Sequence, residues 1–465
     1  MLASTIISSH ADVTPHSDLI RLEDSFLVSQ GVKSENSQRD LLSPLPSGPK
    51  LYLYVWAGSR RPSKKRHDLL VTLNATGGPD SYDFGNVLSI TNMPTFGDEP
   101  HHVGLSRDGT VLAVGNLWAY RQNNPDMYFL DVATDPSRPK LLNGAYGLEG
   151  SVTDSFLGIE PVGGKPAYLV SLMGNKQGGS PGRLGEINFN NVTNKYEVVR
   201  EWPGGVNGTV DDSFVPHGYD RNGPTGTVLV SVDYVDISSS FKPTDGIRKG
   251  TYVRIWDFST RTVIRKYDLG KNNSEGLMSV RWTGVGQKFL FTAGLGSYYL
   301  LDAQEPFADG VNPKSVYSLE DSVVSGSCVF SPIFKSSPSL PVGDRLIVTS
   351  LSLGQVRILN VTDHANPKTL QILQLEGRKA GGHVVIIDNV NNATLVAVST
   401  YYVEQRGKLN GLFTTSTKKQ VHLFKIATDK NTLSLVKTID FKTLLKDSHG
   451  VTQPHGMAFK AFTVA

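Results

Sequence analysis

A β-propeller of seven four-stranded blades, an all-β fold, is what this chain predicts, and three observations predict it. First, an apolar strand ending in a small polar or turn-forming residue recurs seven times. The copies are LLVTLN (to Asn74), MYFLDV (around Asp131), LGEIN (to Asn188), VRIWDF (around Asp257), YYLLDA (around Asp302), VRILNV (around Asn360) and VHLFKI (to Ile426). Their spacing of 45–69 residues leaves room for four short strands and their turns, the length of one propeller blade. Second, the apolar residues between these landmarks alternate in short runs bounded by Gly, Pro, Asn and Asp, and no long amphipathic helical stretch competes. Third, four histidines sit at one point of one local pattern, where a turn hands over to an apolar strand. These are PHHVGL from Pro100, PHGYD from Pro216, GGHVVII from Gly381 and PHGMAF from Pro454.

Along the chain, residues 1–48 lack the strand pattern and mix polar with charged residues, so they read as a flexible N-terminal arm. The propeller then occupies residues 49–465. Its first blade opens with LYLYVWAG, Leu51 to Gly58, and the basic run Arg60, Arg61, Lys64, Lys65 and Arg66 reads as the solvated loop of a hairpin. Turns of the type Asp135-Pro136-Ser137-Arg138-Pro139-Lys140 and Ala365-Asn366-Pro367-Lys368 follow landmark strands and lead into another apolar run. The last strand pair, near His455, is expected to complete the blade begun by Leu51 to Gly58 and so to close the ring, N- and C-terminal strands in one sheet.

Composition narrows the function. With 46 basic and 43 acidic residues the net charge of +3 is too small to argue for nucleic acid. No apolar stretch has the length of a membrane span or a signal sequence, so neither membrane nor nucleic acid is an expected partner, and a small molecule is. Six N-x-S/T sequons, at Asn74, Asn191, Asn207, Asn272, Asn360 and Asn392, lean toward a secretory route and a glycoprotein. The single cysteine, Cys328, excludes an intramolecular disulfide. P-loop, G-x-S-x-G, H-E-x-x-H and C-x-x-C patterns are absent, and Gly178-Gly179 and Gly204-Gly205 serve turns rather than phosphates.

In a propeller the first strand of each blade lines the axis. Aligning those strands places His102, Asp154, His217, Ser279, Cys328, His383 and His455 at equivalent positions. One such histidine would ordinarily satisfy a strand-start carbonyl. Four together predict a shared transition-metal site built from His102, His217, His383 and His455, because imidazoles favour copper, zinc, iron or nickel. His101 and Glu99 flank the first ligand and either point away from the channel or support the ligands from behind. Asp154 is read as an acceptor fixing one imidazole tautomer, and Cys328 as a small buried residue or a thiol facing the metal. Trp118, Tyr120, Trp202, Tyr234, Tyr401 and Tyr402 are candidates for a pocket wall, with blade packing as their ordinary role.

With these residues in view, the chain resembles the selenium-binding protein family, which includes methanethiol oxidases. The matching stretches include GDEPHHVGLSRDG (Gly97 to Gly109), FLDVATDPSRPKLL (Phe129 to Leu142), VPHGYD (Val215 to Asp220), GQVRILNVTDHANPK (Gly354 to Lys368), AGGHVVI (Ala380 to Ile386) and QPHGMAFK (Gln453 to Lys460). The resemblance implies a propeller with a metal, copper above others, near the axis and redox chemistry on a small thiol. The family's cysteine region associated with selenium has no counterpart here, so selenium binding does not carry over. Polar insertions at Val235 to Gly250 and Gly407 to Gln420 point to a rebuilt channel mouth. Three functions stay open: a copper-dependent thiol oxidase, a non-redox enzyme of secondary metabolism such as a hetero-Diels–Alder cyclase, and a non-catalytic binding propeller.

Overall fold

The computed structural model describes residues 50–59, 66–203, 211–221, 226–241, 250–269, 276–283, 288–293, 297–301, 313–318, 328–332, 345–350, 353–375, 382–388, 395–400 and 418–462; within these, the description of 240–241, 282–299, 301 and 328–332 stops at the backbone. The expected N-terminal arm, the basic run up to Lys65, most of both polar insertions, Tyr401, Tyr402 and the Cys328 side chain lie outside it. Every described element belongs to the unit Gly48–Ala465.

The described residues form seven antiparallel four-stranded sheets in a β-propeller. The landmark strands are the third strand of each sheet: Leu69–Asn74, Met127–Asp131, Arg183–Asn190, Tyr252–Asp257, Ser297–Leu301, Gln355–Asn360 and Gln420–Ile426. Apart from Ser297–Leu301, whose description stops largely at the backbone, their centres are almost wholly buried, because this strand is covered on both faces by neighbouring sheets, which is why the sequence shows it as an apolar run rather than an alternation. The inner strands are Thr452–Phe462, Pro100–Leu105, Gly150–Val162, Pro216–Arg221, Leu277–Thr283, Cys328–Pro332 and Val384–Ile387. Each touches the next in cyclic order, and the last touches the first.

Seven apolar clusters fill the seven gaps between consecutive sheets. Phe129 and Tyr168 lie in one, with Phe129 stacked on Tyr196 at 4.7 Å. Trp202 and Trp256 meet edge to face at 5.2 Å in the next, so Trp202 is inter-sheet packing and not a wall of the site. Ring closure comes from both chain ends: Lys50–Ser59 pairs with Thr452–Phe462 from Lys50↔Phe462 to Ser59↔Thr452. This pairing covers an edge that an open ring would expose. Among the described residues, helical structure is confined to short turns, Gly78–Asp80, Ala119–Gln122, Ile237–Phe241 and Lys446–His449.

Candidate metal centre

Five inner strands carry one extra residue at the same place. His101 and His102 together lie opposite Gly115, because Pro100 pairs with Asn116 while Val103 pairs with Val114. The same two-against-one count puts Asp154 and Ser155 opposite Ser171, His217 and Gly218 opposite Val232, Met278 and Ser279 opposite Thr292, and His455 and Gly456 opposite Trp56. A bulge of this kind breaks the alternation of side chains and re-aims them. Residues that a regular strand would send to opposite faces are thereby turned toward one place. His383 reaches the same place from the residue before its inner strand, its amide held by Ser399 O at 2.8 Å.

The bulges demand close backbone approach, and small residues provide it. A Cβ on Gly456 would lie 2.4 Å from His101 O, and one on Gly218 would lie 2.5 Å from Met278 O. Hence the sequence reads Pro-His-Gly at both positions. Serines of the second strands tie the bulges to neighbouring sheets. Ser171 Oγ donates to His217 O at 2.9 Å and accepts from Ser155 N at 2.9 Å, while Ser399 Oγ donates to His455 O at 2.8 Å. Two non-glycine residues adopt the left-handed region just upstream, Glu99 (φ 59°) and Val152 (φ 60°). For a β-branched valine this is a strained conformation. Each lies two residues before a member of the cluster.

Two overlapping groups result. His101, His102, His383 and His455 form one, and His101, His102, Asp154 and His217 the other, the possible ligand atoms within each lying no more than 4.8 Å apart. Asp154 is the hub of the second. His217 Nε2 lies 2.9 Å from its Oδ2, and His101 Nε2 and His102 Nε2 each lie 3.5 Å from one of its oxygens. His217 Nδ1 donates to Met278 O at 2.7 Å, which directs its Nε2 inward. His455 Nδ1 lies 3.1 Å from both Pro100 O and His101 Nδ1. Its proton therefore faces an acceptor carbonyl, and Nε2 keeps the lone pair.

Burial sets the charge states. It holds His102 at about 3, lowers His101, and holds His383 and His455 well below the usual imidazole range; neighbouring imidazoles add to each effect and Asp154 opposes it. Burial opposes ionisation of Asp154 as well, yet His217 and His102, with hydrogen bonds from His101 and His217, outweigh it and hold the carboxyl well below its usual range. Neutral imidazoles beside one fixed negative charge are the protonation state that metal ligation requires. A transition metal fits this donor set. His102 Nε2 in particular is buried without a hydrogen bond among the described residues.

Relative to the sequence reading, His102, His383 and His455 come together, with ring centroids 4.7–5.9 Å apart. His217 instead lies on the Asp154 side, 6.0 Å from His102. His101, expected at the periphery, takes part in both groups. Glu99 belongs to neither group among the described residues. Trp118, Tyr120 and Tyr234 belong to one apolar cluster with Met173 and Met278, and Tyr234 meets His217 edge-on at 4.8 Å. Gly178 forms a turn against the Tyr120 ring, with no space for a phosphate. Asn74, one of the sequons, is buried and donates to Asp83 Oδ2 at 2.5 Å, out of reach of a glycosylating enzyme.

The fold is shared with solved structures of low sequence identity. A hypothetical selenium-binding protein from Sulfolobus tokodaii superposes with a TM-score of 0.63 at 15% identity, covering 89% of this chain and 94% of that one. A periplasmic gluconolactonase from Pseudomonas aeruginosa superposes with a TM-score of 0.57 at 12% identity, over 89% and 99% of the two chains. A protein from Lactobacillus plantarum gives 0.57 at 11% identity, over 89% and 100%. No curated protein sequence matches the chain. The sequence profile of the 56 kDa selenium-binding proteins matches residues 46–399, more than half of the chain, and the protein belongs to that family.

Proposed function

We propose that the protein is a metal-dependent oxidoreductase acting on a small thiol or a similarly soft substrate, with copper held by His102, His383, His455 and His101. The observation that carries this reading is the all-imidazole group of four, its members buried and neutral. Four nitrogen donors without a carboxylate suit copper better than calcium or magnesium. Copper supplies a one-electron redox couple when bound.

The chain's own residues supply the rest. Asp154, held ionised, orients His217 through Nε2 while Met278 O holds Nδ1, so this imidazole can neither rotate nor flip. The apolar cluster of Leu117, Val152, Met173, Tyr234, Val235, Ile237 and Met278 keeps water from the His217 side and offers two thioethers and an aromatic ring to a soft substrate. His102 alone keeps some exposure, 16% of its side chain against 4% for His101 and His217. A substrate therefore enters on the His102 side.

Elemental analysis of protein purified without chelator tests the reading, together with thiol-dependent oxygen consumption before and after chelation. Stoichiometric copper, lost in His383→Ala along with activity, is the expected result. A protein grown with copper that carries no metal, or one fully active without it, overturns the proposal and favours the cyclase alternative.

A further inference from the structure

The ligand group around Asp154 has the geometry of a second metal site, distinct from the all-imidazole group. Both ring nitrogens of His217 face acceptors: Nδ1 donates to Met278 O at 2.7 Å, and Nε2 lies 2.9 Å from Asp154 Oδ2. A neutral imidazole carries one proton, and the carbonyl takes it, so the lone pair on Nε2 points at a carboxylate. Out of water, that approach is favourable only with a positive charge between the two atoms. A proton can supply it, and so can a divalent ion. His102 Nε2, buried without a hydrogen bond among the described residues, lies 3.5 Å from the other oxygen, Asp154 Oδ1. With bonds of about 2.0–2.1 Å, neighbouring ligand atoms of one ion stand about 2.9 Å apart at a right angle and about 3.4 Å apart at the tetrahedral angle. The separations of 2.9 and 3.5 Å match these two edges.

The surroundings hold these donors in place. Ser155 Oγ donates to Asp154 Oδ1 at 2.9 Å. Ser171 Oγ accepts from Ser155 N and donates to His217 O, both at 2.9 Å, so one hydroxyl fixes the Asp154 and His217 segments of neighbouring sheets relative to each other. Ligands oriented from behind in this way are the mark of a prepared metal site. We propose that Asp154, His217 Nε2 and His102 Nε2 hold a second divalent ion, zinc, beside the copper of His101, His383 and His455. Two imidazoles and one carboxylate with a position left open are a zinc donor set, and the carboxylate makes this a harder site than the all-imidazole group. His102 belongs to both groups and passes to zinc when both are filled. The copper half rests on the oxidoreductase reading, while the zinc half stands apart from it.

The test is to count metals by mass spectrometry in protein supplied with copper(II) and zinc(II) together, with chelator competition for each metal. The native protein is expected to hold one ion of each. His217→Gln is expected to weaken zinc by about tenfold or more and to leave copper unchanged, and His383→Gln to do the reverse. Circular dichroism and a thermal melt establish that each variant folds. A native protein that holds a single ion with both metals supplied overturns the proposal, and so does a folded His217→Gln protein that keeps its zinc. Should the variants fail to fold, the native count decides alone. If copper fails to bind while zinc binding depends on His217, the oxidoreductase reading fails and the zinc site stands.

Discussion

Replacing Gly456 by Ala tests how the centre is built. The new Cβ would lie 2.4 Å from His101 O and 3.0 Å from His102 Cα, all of it backbone that cannot swing aside. Restoring ordinary contact requires the two strands to part by about 1 Å, and overpacking of this kind costs roughly 1–3 kcal/mol. A domain of about 400 residues has an unfolding entropy near 0.8 kcal/mol/K, so the melting temperature should fall by only ~1–4 °C. The effect on metal should be larger. Ligand positions tolerate about 0.2 Å, and this displacement falls on the segment carrying both His101 and His102. Metal affinity is expected to drop at least tenfold, measured by competition with a chromophoric chelator alongside a thermal melt. A Gly456→Ala protein that melts and binds metal like the parent would refute the account of the bulge.

Three further outcomes follow from the same geometry. Because His101, His102, His383 and His455 stay neutral in the fold but titrate near pH 6.5 when unfolded, the unfolded chain binds more protons below that pH. Metal-free stability should therefore fall as pH drops from about 7 to 5, by up to ~1.4 kcal/mol per pH unit for each histidine; a flat melting profile over that range would contradict the burial. Asp154→Asn removes one partner of a buried pair and should cost about 3–5 kcal/mol and weaken metal roughly 10–100-fold, and unchanged chelator competition would remove Asp154 from its orienting role. Truncation after Val451 deletes the inner strand paired with Lys50–Ser59 and uncovers that edge. The product should aggregate or lose cooperative unfolding, and a soluble monomer melting normally would show that closure matters little.

Much of this architecture was legible because the repeat is written in burial. The third strand of each sheet is covered on both faces, so it appears in sequence as a compact apolar run with a turn residue at its end, and all seven landmarks fall there. The inner-strand positions aligned for a related reason: each follows its landmark by 22–29 residues, the length of an outer strand and its turns. The expectation of His101 at the periphery follows a rule for regular strands, in which neighbours face opposite ways. The bulge suspends that rule. Its signature was present in the sequence, since each bulged pair contains a second histidine, a serine or a glycine: His101-His102, Asp154-Ser155, His217-Gly218, Met278-Ser279 and His455-Gly456. The separation of His217 from His383 was not legible, because position in an alignment fixes which strand a residue occupies and leaves open how far around the ring it lies.

The bulge also explains how a ring of repeats gives rise to an asymmetric centre. Seven equivalent strand starts would present seven equivalent groups, too far apart around the axis for one ion. An extra residue in five of them bends the strand starts on one arc, from Thr452–Phe462 through Pro100–Leu105, Gly150–Val162 and Pro216–Arg221 to Leu277–Thr283. His383 extends the arc at one end and Met278 O terminates it at the other. The Cys328 side chain lies outside the described residues, and Ser279, at another strand start, enters neither of the two ligand groups found among them.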